Sequence, residues 1–390
     1  MAVTAAMVKE LREMTGAGVM ACKNALVETD GNFESAIELL RKKGEATAVK
    51  KAGRIAAEGA VLAIVEEDKN AAIVEVNSET DFVAKNDKFK TFVANVADQV
   101  LATSASDVEG LLAEKFIKDE SKTVKEELVS QIAVIGENLT IRRFAKINSD
   151  GIVVPYIHAG GRIGVLVEAS TSVVNDEVKE ALKNIAMQIA ALNPKYTARG
   201  DISADELVKL REITVESALN DTFTLPKPIL NKLIDKAVSE KVWSDEDIAI
   251  YEEKKSNMNY LPNFLSNEAK EKLAELALAD REAISGDKIF NGLVEGRVSK
   301  QLKEICLLDQ VYVKAEDGKQ SVAKYVESVA KATGSDLAIK GFVRFETGEG
   351  IEKKEENFAE EVAKHCEQLL GHGLDLLAQT DGIQVHAEDI

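Results

Sequence analysis

The chain has few of the residues on which disulfide-rich proteins and many enzymes depend. Its 390 residues include three cysteines, five prolines, one tryptophan and four histidines. Cys22, Cys306 and Cys366 lie far apart in sequence and form no CxxC pair, which argues against a disulfide framework and against a zinc site. The sequence also contains no GxSxG, HExxH or GxxxxGKS/T pattern. We therefore expect a protein that is not an enzyme and that has no cofactor and no metal site.

Positive charge is in deficit, and long apolar runs are absent. The chain has 49 Lys and Arg residues against 67 Asp and Glu residues, a formal net charge of -18. Nucleic-acid binding draws much of its energy from Lys and Arg neutralising phosphates, so this excess of acid favours a protein partner. No run approaches the roughly 18 apolar residues of a membrane span, and the start, MAVTAAMVKELREM, resembles neither a signal nor a transit peptide. We expect a cytoplasmic protein with no membrane association.

The sequence does contain helical and strand patterns, in separate blocks. At the N-terminus Thr4 can cap a first helix, and the Asp30-Gly31-Asn32 turn and Gly44 mark the ends of two more. These signals predict a small three-helix domain over residues 1–45. Residues 46–55 have no strong apolar face and several basic side chains, so we expect a solvated basic linker.

The centre of the chain contains a repeated unit of strand, strand and helix. The first unit has the strands VLAIVEE and AAIVEVNSE and a helix through Phe89 and Val96, which predicts a core subdomain over residues 56–148. The second unit has two strands within IVVPYIHAGGRIGVLVEAS and a helix through Val178 and Ile189. Two related halves of this kind can pack together into one α+β core.

A long helical block interrupts the second half of this core. Between residues 203 and 305 apolar residues recur with helical spacing, which predicts a helical, coiled-coil-like insertion. Strand character returns at VYVK and at AIKGFVRFE, so the second core subdomain is predicted to combine residues 149–202 with 306–352. Residues 353–390 are expected to form a C-terminal helical module and tail. The predicted fold class is α+β.

Two segments that could bind a ligand have simpler explanations. The glycines of HAGGRIG lie between two strands and lead into no helix N-terminus, which favours a tight turn over a phosphate-binding loop. His365 and His372 lie two helical turns apart, and with Cys366 they lack a carboxylate to complete a metal site, so a structural role is favoured.

The segment Thr80-Asp81-Phe82-Val83 is a candidate for binding a partner, because it follows a strand and a polar turn. Composition alone favours a core position for Phe82. An exposed phenylalanine beside an acid would instead be an interface anchor, since an aromatic ring buried by a partner can supply a large share of binding energy. Both interpretations stay open at this point.

Several longer segments, spread almost from end to end, carry a family resemblance. They are MTGAGVMACK at residues 14–23, Thr80-Asp81-Phe82-Val83, IGEN followed by IRR, His158 with GRIGVLVEA, IAMQIAALNPKY, VEGR and FVRFETGEGIEK. Together these segments resemble the elongation factor Ts family, the guanine-nucleotide exchange factors of bacterial translation.

The resemblance implies an architecture, a partner and a set of contacts. The architecture is a ubiquitin-associated-like helical domain, a duplicated α+β core, a helical insertion and a C-terminal helical module. The partner is the GDP-bound GTPase elongation factor Tu, with a dimer of the complex left open. Thr80, Asp81, Phe82 and Val83 are expected to reach toward the magnesium site of the GTPase, with Phe82 as the wedge. The other expected contacts are Arg12, Met20 and Lys23 at an N-terminal dock and Ile135, Gly136, His158 and Val313 in the core.

The implied activity is nucleotide exchange without covalent chemistry. GDP is held by phosphate-loop amides and by Mg²⁺, so a wedge that shifts the elements carrying them should weaken both interactions. Speeding GDP release ten-thousandfold corresponds to lowering its barrier by roughly 5.5 kcal/mol.

Two other functions remain as alternatives. The first is a protein-interaction scaffold in which the three-helix domain binds a ubiquitin-like partner. The second is an RNA-binding protein that uses the basic linker and the Arg142-Arg143 pair, although the net charge and the lack of interleaved aromatic residues count against it.

Overall fold

The computed structural model of the protein describes residues 3–352. The C-terminal module predicted over residues 353–390, with the segment from His365 to His372, lies outside the described residues. The described part combines α-helices with antiparallel strands, which confirms the α+β fold class. None of the helices within this part has the length and the apolar content of a membrane span.

Three helices build the first unit of the chain: α1 (Ala5–Thr15), α2 (Val19–Glu28) and α3 (Phe33–Lys51). The Thr4 side chain caps α1 by accepting a hydrogen bond from the Met7 amide at 3.3 Å. The helices are held together by a small apolar core, whose buried members are Val8, Leu11, Cys22, Ala25, Leu26 and Ala36. The prediction of three helices in this region is confirmed.

The next elements form the first half of the core. In chain order they are β1 (Glu58–Glu66), β2 (Asn70–Ser78), α4 (Asp81–Lys85), α5 (Asp87–Ala102), α6 (Val108–Ala113), β3 (Lys115–Phe116), β4 (Asp119–Thr123), α7 (Val124–Ile135) and β5 (Thr140–Asn148). β1, β2 and β5 form an antiparallel sheet with β2 in the centre. The two predicted strands and the helix through Phe89 and Val96 are confirmed, whereas β5 is an element that the periodicity did not predict.

The third helix is longer than predicted. It continues to Lys51, so the prediction of a helix end at Gly44 is wrong. Residues 46–51 are helical and not a linker, whereas most of residues 46–55 are exposed to solvent, as predicted. Gly44 lies against α7: a Cβ at this position would be 3.6 Å from the side chains of Val129 and Ala133. Docking on α7 therefore extends α3 through a segment whose low apolar content is typical of a linker.

The remaining elements form the second half of the core and the helical insertion. In chain order they are β6 (Ile152–His158), β7 (Ile163–Ser170), α8 (Asp176–Leu192), α9 (Ala204–Asn220), α10 (Lys227–Ser239), α11 (Asp245–Lys254), α12 (Asn267–Ala279), α13 (Arg281–Ser285), α14 (Lys288–Ile305), α15 (Val322–Thr333) and β8 (Ala338–Glu346). β7 lies between β6 and β8 in a second antiparallel sheet. The strands and helix predicted for the second unit are confirmed, as is the strand AIKGFVRFE.

The segment VYVK at residues 311–314 does not form the predicted strand. Val311 makes only an isolated bridge to Ser321. The side-chain amide of buried Gln188 donates to the Val311 carbonyl at 2.9 Å, and its side-chain oxygen accepts from the Val313 amide at 2.8 Å. A side chain of α8 therefore satisfies backbone groups that a neighbouring strand would otherwise pair.

The two sheets pack face to face, and helices cover their outer faces. In β2, Val74 belongs to the cluster that includes α5, whereas Ile73 belongs to the cluster between the sheets, together with Leu166 of β7. Successive side chains of a strand point to opposite faces, so β2 is buried on both sides. The sheets approach closely at Gly164, where a Cβ would lie 2.4 Å from Val61 Cγ1.

The insertion over α9 to α14 has a core of its own, which includes Leu273 and Phe290. Trp243 is buried in this core, and its indole N–H donates to the Ala269 carbonyl at 2.8 Å. An aromatic residue with a polar group is usually buried only where that group finds a partner, as it does here.

Candidate functional site

The segment after β2 forms a projecting turn and a short helix. Thr80 caps α4, and its Oγ1 accepts a hydrogen bond from the Val83 amide at 3.4 Å. Phe82, the second residue of α4, is 81% exposed. The interpretation of Phe82 as a core residue is therefore wrong. Its ring remains available for burial by a partner, as an interface anchor requires.

An ion pair lies beside the exposed ring. Lys85 Nζ lies 2.6 Å from Asp81 Oδ2, one turn further along α4. The hydrogen bond from Lys85 lowers the pKa of Asp81 below its ordinary value, so this carboxylate is charged at neutral pH. Both side chains are exposed, and exposed pairs contribute little to stability. The outward face of α4 therefore presents an aromatic ring next to a carboxylate.

A carboxylate from a distant part of the sequence holds this turn. Glu137 follows the C-terminal end of α7. Its Oε2 accepts hydrogen bonds from the amides of Glu79 and Thr80, each at 3.0 Å, and its Oε1 accepts from Thr80 Oγ1 at 2.6 Å. Hydrogen bonds to an ionised acceptor are roughly twice as strong as neutral ones. The two residues that lead into α4 are thus held by two backbone bonds and one side-chain bond to Glu137.

A second carboxylate makes the reciprocal contact. Glu79 Oε1 accepts from the Asn138 amide at 2.6 Å, and Arg54 Nη1 approaches Glu79 to 3.5 Å. We call Glu79, Thr80, Glu137 and Asn138 the glutamate clamp. Neither Glu79 nor Glu137 is among the predicted site residues. Each directly adjoins an expected contact residue, Thr80 or Gly136, and Glu137 lies in the IGEN segment that contributes to the family resemblance.

Two expected contact residues lie at the base of the clamp. Ile135 ends α7, and the exposed Gly136 caps that helix in the left-handed conformation, with a φ of 86°. This is the usual role of glycine after a helix. Lys51, at the end of α3, donates a hydrogen bond to the Gly136 carbonyl. The structure therefore brings Ile135 and Gly136 to the same place as the Phe82 segment.

His158 is exposed at the end of β6, and the tight turn predicted from HAGGRIG follows it. In this turn the Gly161 carbonyl accepts a hydrogen bond from the Val61 amide at 2.7 Å. Val61 lies three residues along β1 from Glu58, which pairs with Ser78 at the end of β2. Three residues of strand span about 10 Å, so the turn after His158 and the start of the Phe82 segment lie at the same end of β1.

Val313 lies on another part of the core. Its side chain is 50% exposed, and the contacts of its loop with Gln188 fix it against α8. The neighbouring Lys314 donates to Asn184 on the same helix at 2.7 Å. These contacts tie Val313 to the second half of the core, whereas the clamp belongs to the first half.

The residues expected at the N-terminal dock are all exposed. Met20 is 63% exposed. Arg12 from α1 and Lys23 from α2 line a surface depression of about 410 Å³, together with the apolar side chains of Val8 and Val19. This surface therefore combines positive charge with apolar contact area.

A buried carboxylate joins the two sheets. The Glu75 side chain is fully buried, with Oε1 2.9 Å from Arg142 Nη1 and Oε2 2.5 Å from Arg143 Nε. The Gly348 amide, just after β8, donates to Glu75 Oε1 at 2.8 Å, and the Arg143 guanidinium lies 4.4 Å from the centre of the Phe345 ring. The two arginines proposed for RNA binding are therefore engaged by an internal carboxylate.

The polar groups of the candidate site are used mainly inside the protein. The carboxylates of Glu79 and Glu137 accept hydrogen bonds from the chain itself. Within residues 3–352, no three side chains of His, Cys, Asp or Glu are grouped so that they could hold a metal ion. What the site presents outward is the ring of Phe82 and the carboxylate of Asp81. This arrangement is suited to binding another surface.

Comparisons with known proteins agree with these motifs. A family model described as Elongation factor TS matches residues 79–349, which include the clamp. The elongation factor Ts of Clostridium novyi (strain NT) is 44% identical over 368 residues, or 94% of this chain and 99% of its own length. That of Clostridioides difficile (strain 630) is 44% identical over 363 residues, or 93% of this chain and 98% of its own length. That of Clostridium tetani (strain Massachusetts / E88) is 42% identical over 367 residues, or 94% of this chain and 100% of its own length. The chain therefore belongs to the elongation factor Ts family of translation elongation factors.

Proposed function

We propose that this protein is a guanine-nucleotide exchange factor for elongation factor Tu. It acts in the cytoplasm by binding the GDP-bound GTPase and carries out no covalent chemistry. Beside the family membership, the observation that carries the proposal is the exposure of the Phe82 ring on a turn that Glu137 holds in place. An anchor that is already ordered loses little conformational entropy when it is buried by a partner.

Phe82 is the wedge in this proposal. It enters the GTPase beside the Mg²⁺ and phosphate site, where phosphate-loop amides and the metal hold GDP together. Moving the elements that carry these groups weakens both interactions at once. Thermodynamic linkage then requires the nucleotide to weaken binding of the factor by the same ratio, so rebinding of GTP promotes release of the factor.

Phe82 acts together with a wider surface in this proposal. A ten-thousandfold faster release of GDP would need roughly 5.5 kcal/mol, and many single anchors contribute only about 2 kcal/mol. The rest is assigned to contacts made over a wider surface. The proposed members of that surface are Thr80, Asp81 and Val83 beside the wedge, Arg12, Met20 and Lys23 at the N-terminal dock, and Ile135, Gly136, His158 and Val313 in the core.

The domain organisation of the family is part of the same proposal. The ubiquitin-associated-like domain corresponds to α1, α2 and the first part of α3. The duplicated core corresponds to the two sheets with their helices, and the coiled-coil-like insertion to residues 203–305. The C-terminal module corresponds to residues 353–390.

A nucleotide-release assay tests the function. Elongation factor Tu is loaded with a fluorescent GDP analogue and mixed with excess GDP and a catalytic concentration of this protein. We expect strong acceleration of release by the wild type. An unchanged rate with a cognate GTPase would refute the proposal.

The variant Phe82→Ala tests the wedge. Loss of a binding anchor worth at least about 2 kcal/mol should reduce the acceleration by about 30-fold or more. Because the ring is 81% exposed, the circular-dichroism spectrum and thermal midpoint should stay near those of the wild type. Phe264→Ala is the matched control, since Phe264 is an exposed phenylalanine of the insertion and its removal should not affect release.

A further inference from the structure

The short helix α4 packs on the apolar core beneath α5 through Val83 and Ala84, which are only partly buried. It contains five residues, and none of them is buried. Isolated helices much longer than this are marginal in water, because nucleation is costly. The direction in which Phe82 points therefore depends on this limited packing and on how the two ends of α4 are attached to the rest of the protein.

The attachment at the N-terminal end runs through Glu137. This side chain fixes the amides of Glu79 and Thr80, the two residues immediately before α4. Thr80 Oγ1 donates to Glu137 and also accepts from the Val83 amide inside α4. A continuous chain of hydrogen bonds thus connects the end of α7 with the helix that carries Phe82.

We propose that Glu137 is a positioning residue for nucleotide exchange, which holds Phe82 in the one direction that acts on the GTPase. The inference rests on the proposed exchange function. Without Glu137 the turn samples several directions, and Phe82 is correctly placed for only a fraction of the time that the two proteins are bound. The other surfaces still bind, so Glu137 raises the release rate within the complex more than it raises affinity.

Three substitutions separate positioning from a general effect on stability. Glu137→Ala removes all three hydrogen bonds. Glu137→Gln keeps one oxygen that can accept from both amides and an amide group that can donate to Thr80 Oγ1. Glu120→Ala is the matched control, because it removes an exposed glutamate from β4.

The release assay is run over a range of concentrations of each variant with the full GTPase. For Glu137→Ala we expect the rate at saturation to fall about tenfold, equivalent to about 1.4 kcal/mol, while the concentration for half-maximal rate changes by less than about threefold. Glu137→Gln should restore the saturating rate to within about threefold of the wild type, and Glu120→Ala should match the wild type. Equal loss in Glu137→Ala and Glu120→Ala would overturn the proposal.

A double-mutant cycle tests whether Glu137 acts through Phe82. If it does, Glu137→Ala should have no further effect in a Phe82→Ala background. A full additional loss in the double variant would overturn the proposal. Should Glu137→Ala not fold, Thr80→Val removes the hydroxyl link to Glu137 at nearly constant volume while the two amide bonds remain. We expect a smaller fall in the saturating rate for Thr80→Val, and an unchanged saturating rate would count against positioning.

Hydrogen exchange tests the clamp without the GTPase. The amides of Glu79 and Thr80 should exchange faster in Glu137→Ala than in the wild type, with Glu137→Gln close to the wild type. Unchanged exchange in Glu137→Ala would show that the clamp does not order the turn. If the wild type does not accelerate GDP release, the proposed function is refuted. Hydrogen exchange still tests whether Glu137 orders the turn, because it does not require the GTPase.

Discussion

Removing the carboxylate of Glu75 is expected to destabilise the two-sheet core. Glu75→Ala leaves the guanidinium groups of Arg142 and Arg143 and the amide of Gly348 without this acceptor. Breaking a fully buried ion pair by removing one partner costs about 3–5 kcal/mol. The arginine side chains here are 26% and 31% exposed, so water replaces part of the lost interaction. We therefore expect a loss of about 2–4 kcal/mol in the free energy of unfolding.

Urea-induced unfolding followed by far-ultraviolet circular dichroism measures this loss. Tryptophan fluorescence is the wrong probe, because Trp243 lies in the separate core of the insertion. Glu66→Ala is the matched control: it removes an exposed carboxylate from the neighbouring strand β1 and should change stability by no more than about 0.5 kcal/mol. A Glu75→Ala variant as stable as Glu66→Ala would refute the idea that this carboxylate ties the end of β8 to the first sheet.

Two further predictions concern close packing and charge. A Cβ at position 164 would lie 2.4 Å from Val61 Cγ1, so Gly164→Ala should force the sheets apart. We expect it to lower the free energy of unfolding by about 1–3 kcal/mol, which a lower thermal midpoint would show. An unchanged midpoint would contradict the close approach of the sheets. Burial alone would raise the pKa of Asp247, but hydrogen bonds from the Ser266 amide and from nearby serine hydroxyls outweigh it, so this pKa lies below its ordinary value of 3.8. A carboxyl with a lowered pKa stabilises the fold above its unfolded pKa, and this contribution is lost as pH falls through the folded value. Trp243 fluorescence should therefore report loosening of the insertion below about pH 4. This pH dependence should be smaller in Asp247→Asn than in the wild type. If the two proteins show the same pH dependence, groups other than Asp247 cause it.

Local patterns predicted the strands and helices whose apolar spacing is continuous, and long-range contacts decided elements such as β5. β2 and α5 were found because their apolar spacing is continuous. β5 was missed because Arg142 and Arg143 interrupt its apolar alternation, and the residue that accommodates them, Glu75, lies 67 and 68 residues earlier. The false strand at residues 311–314 has the opposite cause, since its apolar alternation is present but a distant side chain satisfies its backbone.

The candidate site likewise has features that the sequence predicts and features that only the fold decides. The segment around Phe82 is continuous, so it could be proposed as a candidate from the sequence. Composition favoured a core position for the ring, because whether a ring is exposed depends on what the fold places beside it. Glu137 could not be connected with Thr80 from the sequence, because 57 residues separate them and a single glutamate after a helix has many possible partners.

The position of β7 between β6 and β8 has a consequence during synthesis of the chain. β7 is complete at Ser170, but its partner residue Ala338 follows 168 residues later. At about 5–20 residues per second, one edge of β7 waits roughly 8–34 s for its neighbour to be made. The insertion, which has a core of its own, is synthesised during this interval. An unpaired strand edge can pair with other chains, so the edge of β7 is open to such pairing until β8 has been made.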